Sequence, residues 1–307
     1  MEALFAVTPQ QINKIKHVLL AIITFLVVLF NCQSWAEVAI EKLTEHVFVF
    51  TEGDNRGLLI IGNKGVAVID PLNQKVTSKI NQFLDNNSNI PVTHVVYTHS
   101  HWDRIRGGKI FQQQGAKFIA NEECRLFLSG NQNSNVVEPD VYFDKTHVIE
   151  LGNQTIKLSY FGPSHGECLI AVQIQPVNLL FIADLLNTKG PSFPNDPTLP
   201  YLRPATLIAV LNAMEKLAET NDINFFIGGH SSTNILGPIE TISKQREFWE
   251  LVQHTAEEAE KNGNVDLNNF IAMDKIDLEP YKQFQNYNQE DLSNILRRYT
   301  SFLNMGR

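Results

Sequence analysis

The hydrophobic positions of the chain alternate between short β-type runs and amphipathic helical segments. Three β-rich runs separated by Gly and Asn turns predict a strand meander over residues 46–50, 57–61 and 66–69. Residues 73–85 then carry apolar side chains at helical spacing, and residues 92–97 have the character of the next strand. Strand, helix and strand in this order predict a βαβ unit and therefore a mixed α/β fold.

The alternation continues towards the C-terminal end. Further strands are predicted at residues 117–120, 155–161, 169–175, 179–183 and 223–227. Helices are predicted over 121–129, 205–217 and from Pro238 to about Lys261, followed by two shorter helices, the second near 289–303. The proline-rich stretch 187–203 is expected to form a long loop. We expect one catalytic domain over 37–236 and a helical extension packed on it over 237–307.

The N-terminal segment has the pattern of a secretory signal. Lys14 and Lys16 precede an apolar run from Val18 to Phe30, and small residues stand at positions 34 and 36. The run is short for a membrane span, which needs about 20 residues. We expect a signal peptide over 1–36, cleavage after Ala36, a periplasmic or secreted mature protein, and no stable membrane insertion afterwards. An uncleaved anchor is the alternative.

The acidic balance of the chain argues against one class of partner. With 25 Lys and Arg against 33 Asp and Glu, the net charge is −8, and nucleic-acid binding requires a cationic face.

Of the three cysteines, Cys32 would leave with the signal peptide. Cys124 and Cys168 remain and could pair in an oxidising compartment. Because the sequence gives no reason to place them within bridging distance, two separate buried thiols are the favoured interpretation.

Six side chains of metal-binding type follow the C-terminal ends of predicted strands. They are His99, His101, Asp103, His165, Asp184 and His230. Loops at strand ends can converge without disturbing the core. Zinc takes imidazole nitrogen and carboxylate oxygen readily, and a carboxylate can bridge two cations. We therefore predict a zinc-type site, with Asp184 suited to the bridging position. The isolated histidines are expected to be surface or core residues: His46, His94, His147 and His254.

Four sequence blocks together resemble the metallo-β-lactamase superfamily. They are Thr98-His-Ser-His-Trp-Asp-Arg104 with Gly107-Gly108, Gly162-Pro-Ser-His165-Gly166, Ile182-Ala-Asp184 and Gly228-Gly-His230. The resemblance implies a four-layer αββα sandwich with metals at one edge. It also implies two zinc ions: His99, His101 and His165 would hold the first, and Asp103, Asp184 and His230 the second, with Asp184 bridging.

One residue departs from the commonest superfamily pattern. That pattern has a histidine ligand directly after the motif aspartate, where this chain has Arg104. A guanidinium stays protonated and has no lone pair for a cation, so Arg104 is not a ligand. Arginine here resembles a group of true zinc β-lactamases, but those enzymes carry cysteine where this chain has Asp184. Arg104 is expected either to brace the loop through an ion pair or to meet substrate.

The leading functional hypothesis is an exported zinc-dependent hydrolase of a small molecule. A metal-bound hydroxide would attack an ester, thioester, lactone or lactam-like group, with Asp103 orienting it. Asp70 is a candidate support for a ligating histidine.

A true β-lactamase and a non-hydrolytic metal-binding or redox accessory protein are the alternatives to the leading functional hypothesis. Candidate pocket walls are Asn187, Lys189, Trp102 and the turn 53–56. Substrate and oligomeric state stay open.

Overall fold

The computed structural model describes residues 37–194, 196, 202–230 and 234–306. The predicted signal peptide over 1–36 and part of the predicted loop 187–203 lie outside the described residues. The described chain from Val38 onward forms one compact unit. Among the described residues, no helix is both long enough and apolar enough to cross a bilayer.

Two mixed β-sheets form the centre of the unit. The first has the strand order β1 to β7: Ala39–Lys42, Val47–Glu52, Asn55–Ile61, Val66–Ile69, Val92–Val96, Lys117–Asn121 and Val141–Phe143. The second has the order β13 to β8, and its strands in chain order are Thr146–Glu150, Thr155–Tyr160, Ile170–Gln175, Leu179–Ile182, Phe225–Gly228 and Leu236–Pro238. Strands β4 to β7 pair in parallel, as do β11 and β12.

The helices cover the outer faces of both sheets. In chain order, α1 to α7 are Gln74–Asn87, Trp102–Ile105, Lys109–Gln113, Arg125–Leu128, Pro204–Thr220, Thr241–Lys261 and Gln289–Met305. Short 3₁₀ turns occur at Glu122–Cys124, Met273–Lys275 and Glu279–Tyr281. Helix α1 begins where the Asn73 side chain accepts hydrogen bonds from the amides of Lys75 and Val76.

Three apolar clusters hold these layers together. One lies between the sheets, where Leu58 and Ile69 of the first sheet join Leu158 and Phe181 of the second. The other two fill the spaces under the helices, α1 and α3 on the first sheet and α5, α6 and α7 on the second. The layers therefore run helix, sheet, sheet, helix, which confirms the predicted αββα sandwich.

Most predicted elements appear, some with shifted ends, and Pro238 was assigned to the wrong element. Strand β4, helix α1 and the parallel strand β5 form the predicted βαβ unit. Pro238, predicted to open the long helix, instead ends strand β13, and the helix begins at Thr241. Pro238 lies on an edge strand, where a residue without an amide proton costs no ladder hydrogen bond.

The interpretation of Cys124 and Cys168 as separate thiols is also wrong. The two residues form a disulfide, with their Cα atoms 5.2 Å apart across 44 residues of sequence. Both are fully buried. Cys124 follows the first-sheet strand β6, and Cys168 precedes the second-sheet strand β10. The disulfide therefore ties the segment between β6 and β7 of the first sheet to the loop that carries His165.

Candidate metal centre

The predicted ligands follow the C-terminal ends of four strands. His99, His101 and Asp103 come after β5, and His165 comes after β9. Asp184 comes after β11, and His230 after the parallel neighbour β12. Because these strand ends meet at one edge of the sandwich, residues distant in sequence come into contact there. Asp184 contacts His99, and Arg104 contacts His230 across 126 positions of sequence.

Four of the six predicted ligands form a compact cluster. One nitrogen or oxygen atom from each of His99, His101, His165 and Asp184 lies within 4.8 Å of all the others. Oδ2 of Asp184 lies 3.3 Å from Nε2 of His99 and 3.7 Å from Nε2 of His165. Three imidazoles and one carboxylate form a donor set that zinc accepts.

The tautomer of His99 fits metal binding. The Thr98 hydroxyl donates to Oδ2 of Asp70 at 2.7 Å, so its oxygen accepts from Nδ1–H of His99 at 2.9 Å. That leaves a lone pair on Nε2, which is buried and makes no hydrogen bond of normal geometry. A buried lone pair that faces the other donor atoms of the cluster is the arrangement a metal ligand requires.

Burial keeps two other imidazoles of the cluster neutral. Desolvation, together with nearby His99, lowers the pKa of His101. Desolvation lowers the pKa of His165 to about 3, although Asp184 opposes the shift. Metal binding needs the neutral imidazole, so these side chains do not have to lose a proton near neutral pH.

Both buried carboxylates of the site stand on left-handed backbone. Asp70 has φ of 53° and Asp184 has φ of 57°. Such a conformation costs a non-glycine residue about 1 kcal/mol or more, least for Asp and Asn, and it occurs mainly at functional sites. Burial raises the pKa of Asp70 to about 6, although neighbouring His99 and Arg104 oppose this. Burial also acts to raise the pKa of Asp184, but neighbouring His230, His99 and Arg104 hold it well below its usual value.

His230 lies on the opposite side of Asp184 from the three-histidine cluster. Its Nε2 is 3.2 Å from Oδ1 of Asp184, and its Nδ1 is 3.1 Å from Oδ2 of Asp54. The contact with Asp184 raises the pKa of His230, against the effect of burial. Gly229 makes this approach possible, because a Cβ there would lie 2.7 Å from Oδ1 of Asp184.

Arg104 occupies the space among the predicted ligands of the second metal. Its side chain is fully buried and forms a bidentate pair with Asp184, through Nε to Oδ2 at 3.1 Å and through a second, shorter bond to Oδ1. Nε is 3.5 Å from Oδ2 of Asp103, and an Nη atom is 3.4 Å from Nε2 of His230. The other Nη donates to the carbonyl oxygens of Gly229 and Arg56. The expected bracing ion pair is therefore present.

Asp103 and His230 lie outside the four-residue cluster. The Asp103 side chain is 47% exposed and turns towards Arg104. The structure thus brings the three predicted ligands of the first metal together with Asp184. It arranges the predicted ligands of the second metal around a guanidinium.

A pocket of about 380 Å³ opens beside the cluster. Its floor includes His165, Asp184 and His230, and its walls include the predicted residues Asn187 and Lys189. Asp54, from the predicted turn 53–56, also lines it. Trp102 is 52% exposed and is not among the residues that line this pocket.

Part of the pocket wall was missed by the sequence analysis. Gln245 and Trp249 of helix α6 line it, together with Gln285 and Asn286 from the segment before α7. Gln245 interrupts the apolar face formed by Ile242, Trp249 and Val252, and it is buried. A polar residue on an apolar helix face is the sequence signal that could have found this wall.

The sequence profile of the metallo-beta-lactamase superfamily matches residues 55–230, which is more than half of the chain and contains every residue of the cluster. The chain belongs to the metallo-beta-lactamase superfamily. This confirms the family expected from the four sequence blocks and supports a metal-dependent enzyme.

Superfamily relatives resemble this chain over about half of its length. Metallo-beta-lactamase type 2 of Bacillus cereus is 26% identical over 152 residues, which are 47% of this chain and 58% of the relative. Metallo-beta-lactamase type 2 of Bacteroides fragilis is 23% identical over 155 residues, 47% of this chain and 61% of the relative. The chain thus spans about three fifths of the length of these curated relatives.

Solved structures of the superfamily share the fold. A metallo-beta-lactamase from Pontibacter korlensis is 17% identical with a TM-score of 0.60, over 70% of this chain and 99% of that one. The DIM-1 metallo-beta-lactamase is 20% identical with a TM-score of 0.58, over 70% of this chain and 98% of that one. At these identities the likeness concerns the αββα architecture alone.

Proposed function

We propose that this protein is a zinc-dependent hydrolase of small molecules that carry an ester, thioester, lactone or lactam-like bond. One observation carries the proposal: His99, His101, His165 and Asp184 converge within 4.8 Å, with a buried His99 nitrogen directed at the group. Membership of the superfamily supports the same chemistry.

Zinc at this position would supply Lewis acidity and lower the pKa of water towards neutrality. The three imidazoles would hold the ion, and Asp184 would contribute a negative charge to the same ligand set. Asp70 and Thr98 fix the orientation of His99 through a chain of two hydrogen bonds. We assign proton transfer to Asp103, because its half-exposed carboxylate can exchange protons with solvent.

The substrate proposal rests on the pocket. A volume of about 380 Å³ suits a small molecule, and the lining combines Lys189, Asn187 and Gln285 with Phe193 and Trp249. Polar groups at the rim of an apolar wall favour a substrate that has one polar or anionic group beside an apolar body.

We also propose that the mature protein works in the periplasm or outside the cell. The apolar run from Val18 to Phe30 and the small residues before Glu37 support export. The Cys124–Cys168 disulfide supports an oxidising compartment, since such bonds are rare in the cytosol.

A β-lactamase is the second candidate function. Relatives named metallo-beta-lactamase type 2, together with Arg104 after the motif aspartate, favour it. Asp184, in the place where those enzymes carry cysteine, argues against it. Purified protein assayed with nitrocefin and imipenem, in parallel with aryl esters, thioesters and lactones, separates the two. Turnover of the esters or lactones alone would remove the β-lactamase candidate.

His101→Ala tests the proposed function. Removing one of the three imidazoles should abolish both zinc retention and turnover of every active substrate, because the remaining donors no longer enclose the ion. Zinc content is measured by elemental analysis after dialysis, and turnover on the substrate panel. His254→Ala, on the exposed face of helix α6, is the matched control and should behave as the wild type. Full activity of metal-depleted His101→Ala protein would refute the metal site.

A further inference from the structure

The position of Arg104 bears on how many metal ions the chain holds. The superfamily resemblance implies a second ion at Asp103, Asp184 and His230, and the guanidinium of Arg104 contacts all three of these side chains. A guanidinium carries a delocalised positive charge and has no lone pair to offer a metal ion. A fixed cation therefore already stands where the second metal is expected.

The guanidinium is held by more than the carboxylates. One Nη donates to the carbonyl oxygen of Gly229 at 2.8 Å and to that of Arg56 at 3.2 Å. The same Gly229 oxygen accepts the Arg56 amide at 2.8 Å, so strand β3 and the segment directly after β12, which supply these carbonyls, are joined to each other. Two backbone acceptors on a rigid junction form a built site for a guanidinium, independent of Asp103, Asp184 and His230.

The geometry also divides the two faces of Asp184. Oδ2 faces Nε2 of His99 and Nε2 of His165 and also accepts from Nε of Arg104 at 3.1 Å. Oδ1 faces Nε2 of His230 and accepts from an Nη of Arg104. A divalent ion bound to Oδ1 would have to displace the guanidinium or lie directly against it. Repulsion between two cations in a buried site opposes the second arrangement.

We propose that this protein is a single-metal enzyme, in which Arg104 supplies the second positive charge that a second ion would otherwise provide. This inference rests on the proposed function, since it assigns one ion to the cluster of His99, His101, His165 and Asp184. Arg104 acts as a positioning residue: it fixes Asp184 bidentately, with Oδ2 turned towards Nε2 of His99 and Nε2 of His165, which would hold the ion.

Metal stoichiometry tests the proposal. Full-length mature protein is loaded with zinc and equilibrated against a chelator-buffered zinc solution, and the number of zinc ions per chain is then measured. A cobalt titration followed by absorbance gives a second measurement of the number of ions per chain. The wild type should take one ion per chain. Arg104→His should take two, because a neutral imidazole beside Asp103, Asp184 and His230 completes a second ligand set. Arg104→Lys keeps the positive charge and should stay at one.

Arg106→His is the matched control. Arg106 is exposed two positions along, and its Nε donates to the carbonyl oxygen of Trp102. The same substitution there should leave the stoichiometry at one. Circular dichroism of each variant shows whether it folds, and the wild-type stoichiometry decides the proposal even if Arg104→His does not fold.

The outcomes separate this proposal from the proposed function. Two ions of comparable affinity in the wild type would overturn the single-metal proposal and leave the hydrolase proposal standing. A folded Arg104→His protein that still binds one ion would overturn the role of Arg104. Absence of any bound metal in the wild type would overturn both.

Discussion

At the scale of single residues, the site depends on a hydrogen-bonded chain that ends in a buried carboxylate. Asp70 accepts from both the amide and the hydroxyl of Thr98, at 2.8 and 2.7 Å, and Thr98 in turn accepts from His99. Asp70 is fully buried, and the two hydrogen bonds from Thr98 offset the free-energy cost of removing its carboxyl group from water. The direction of each bond fixes which nitrogen of His99 faces the metal cluster.

Asp70→Asn should weaken metal binding without removing any ligand. The asparagine amide can donate to Thr98, whose hydroxyl would then donate to Nδ1 of His99 and place the imidazole proton on Nε2. Changes in groups that support a metal ligand typically cost about 10- to 100-fold in affinity. The zinc dissociation constant, measured by competition with a chelator, should rise by that factor.

Asp140→Asn is the control for Asp70→Asn. Asp140 is exposed and accepts from the Phe118 amide, so the variant removes the same charge away from the site. Its zinc affinity should match the wild type. An unchanged dissociation constant in Asp70→Asn would show that the Asp70–Thr98 pair does not orient His99.

The sequence predicted some residue properties better than others. That Arg104 cannot bind a metal follows from guanidinium chemistry alone. Its partners could not be predicted, because the contacts join residues 48, 80 and 125 positions apart. The four-residue cluster was predictable as a set of strand-end residues, whereas its separation from Asp103 and His230 depends on where the guanidinium packs.

At the scale of elements, helix α6 and the segment before α7 build one wall of the pocket. The Gln245 side chain accepts from the amide of Ser192 at 2.9 Å and donates to the carbonyl oxygen of Ser192 at 3.0 Å. On the other side, the Gln285 backbone bonds with Pro191 and Phe193. Residues 191–193 of the loop that follows Asp184 are thereby fixed from both sides by the C-terminal region.

Gln245→Ala should loosen this loop and leave the metal cluster intact. Loss of both hydrogen bonds at a buried position predicts a decrease of about 1–3 kcal/mol in the free energy of unfolding. Zinc content should stay unchanged, since no ligand contacts Gln245, while KM should rise because the pocket wall moves. Urea denaturation, elemental analysis and steady-state kinetics measure the three quantities.

Gln253→Ala, on the same helix, is the matched control for Gln245→Ala. The Gln253 side chain donates to Oε1 of Glu257 in an exposed i,i+4 pair, so its loss should cost about a few tenths of a kcal/mol. Equal effects of the two substitutions would mean that the bonds to Ser192 contribute nothing specific to the loop.

Element prediction failed where the strands are short. The hydrophobic pattern did not predict β1, β7, β8 and β13, each of which has three to five residues. Such runs are too short to establish a period of two. Pro238 was misassigned because proline is common in the first helical turn, and only the pairing of Leu236 with Ile227 reveals the strand.

At the scale of the whole molecule, the αββα arrangement followed from family resemblance rather than from periodicity. The apolar patterns predicted the βαβ unit and the long helices, but the stacking of two sheets depends on contacts between their inner faces, such as those around Phe181 and Ile69. The disulfide was unpredictable for the same reason. Its two residues meet only when the segment after β6 packs beside the loop before β10.

Replacing both cysteines should therefore weaken the whole fold rather than the metal site alone. A bond that closes 44 residues restricts the unfolded chain, which corresponds to about 3–4 kcal/mol in the free energy of unfolding. Cys124→Ala with Cys168→Ala should lose about that amount in urea denaturation and still retain zinc, because neither sulfur belongs to the cluster. Reduction of the wild type should produce the same loss, and reductant should leave the double variant unaffected. If wild type and double variant are equally stable under oxidising conditions, the disulfide does not restrain the unfolded chain. That result would also remove one support for the proposed export.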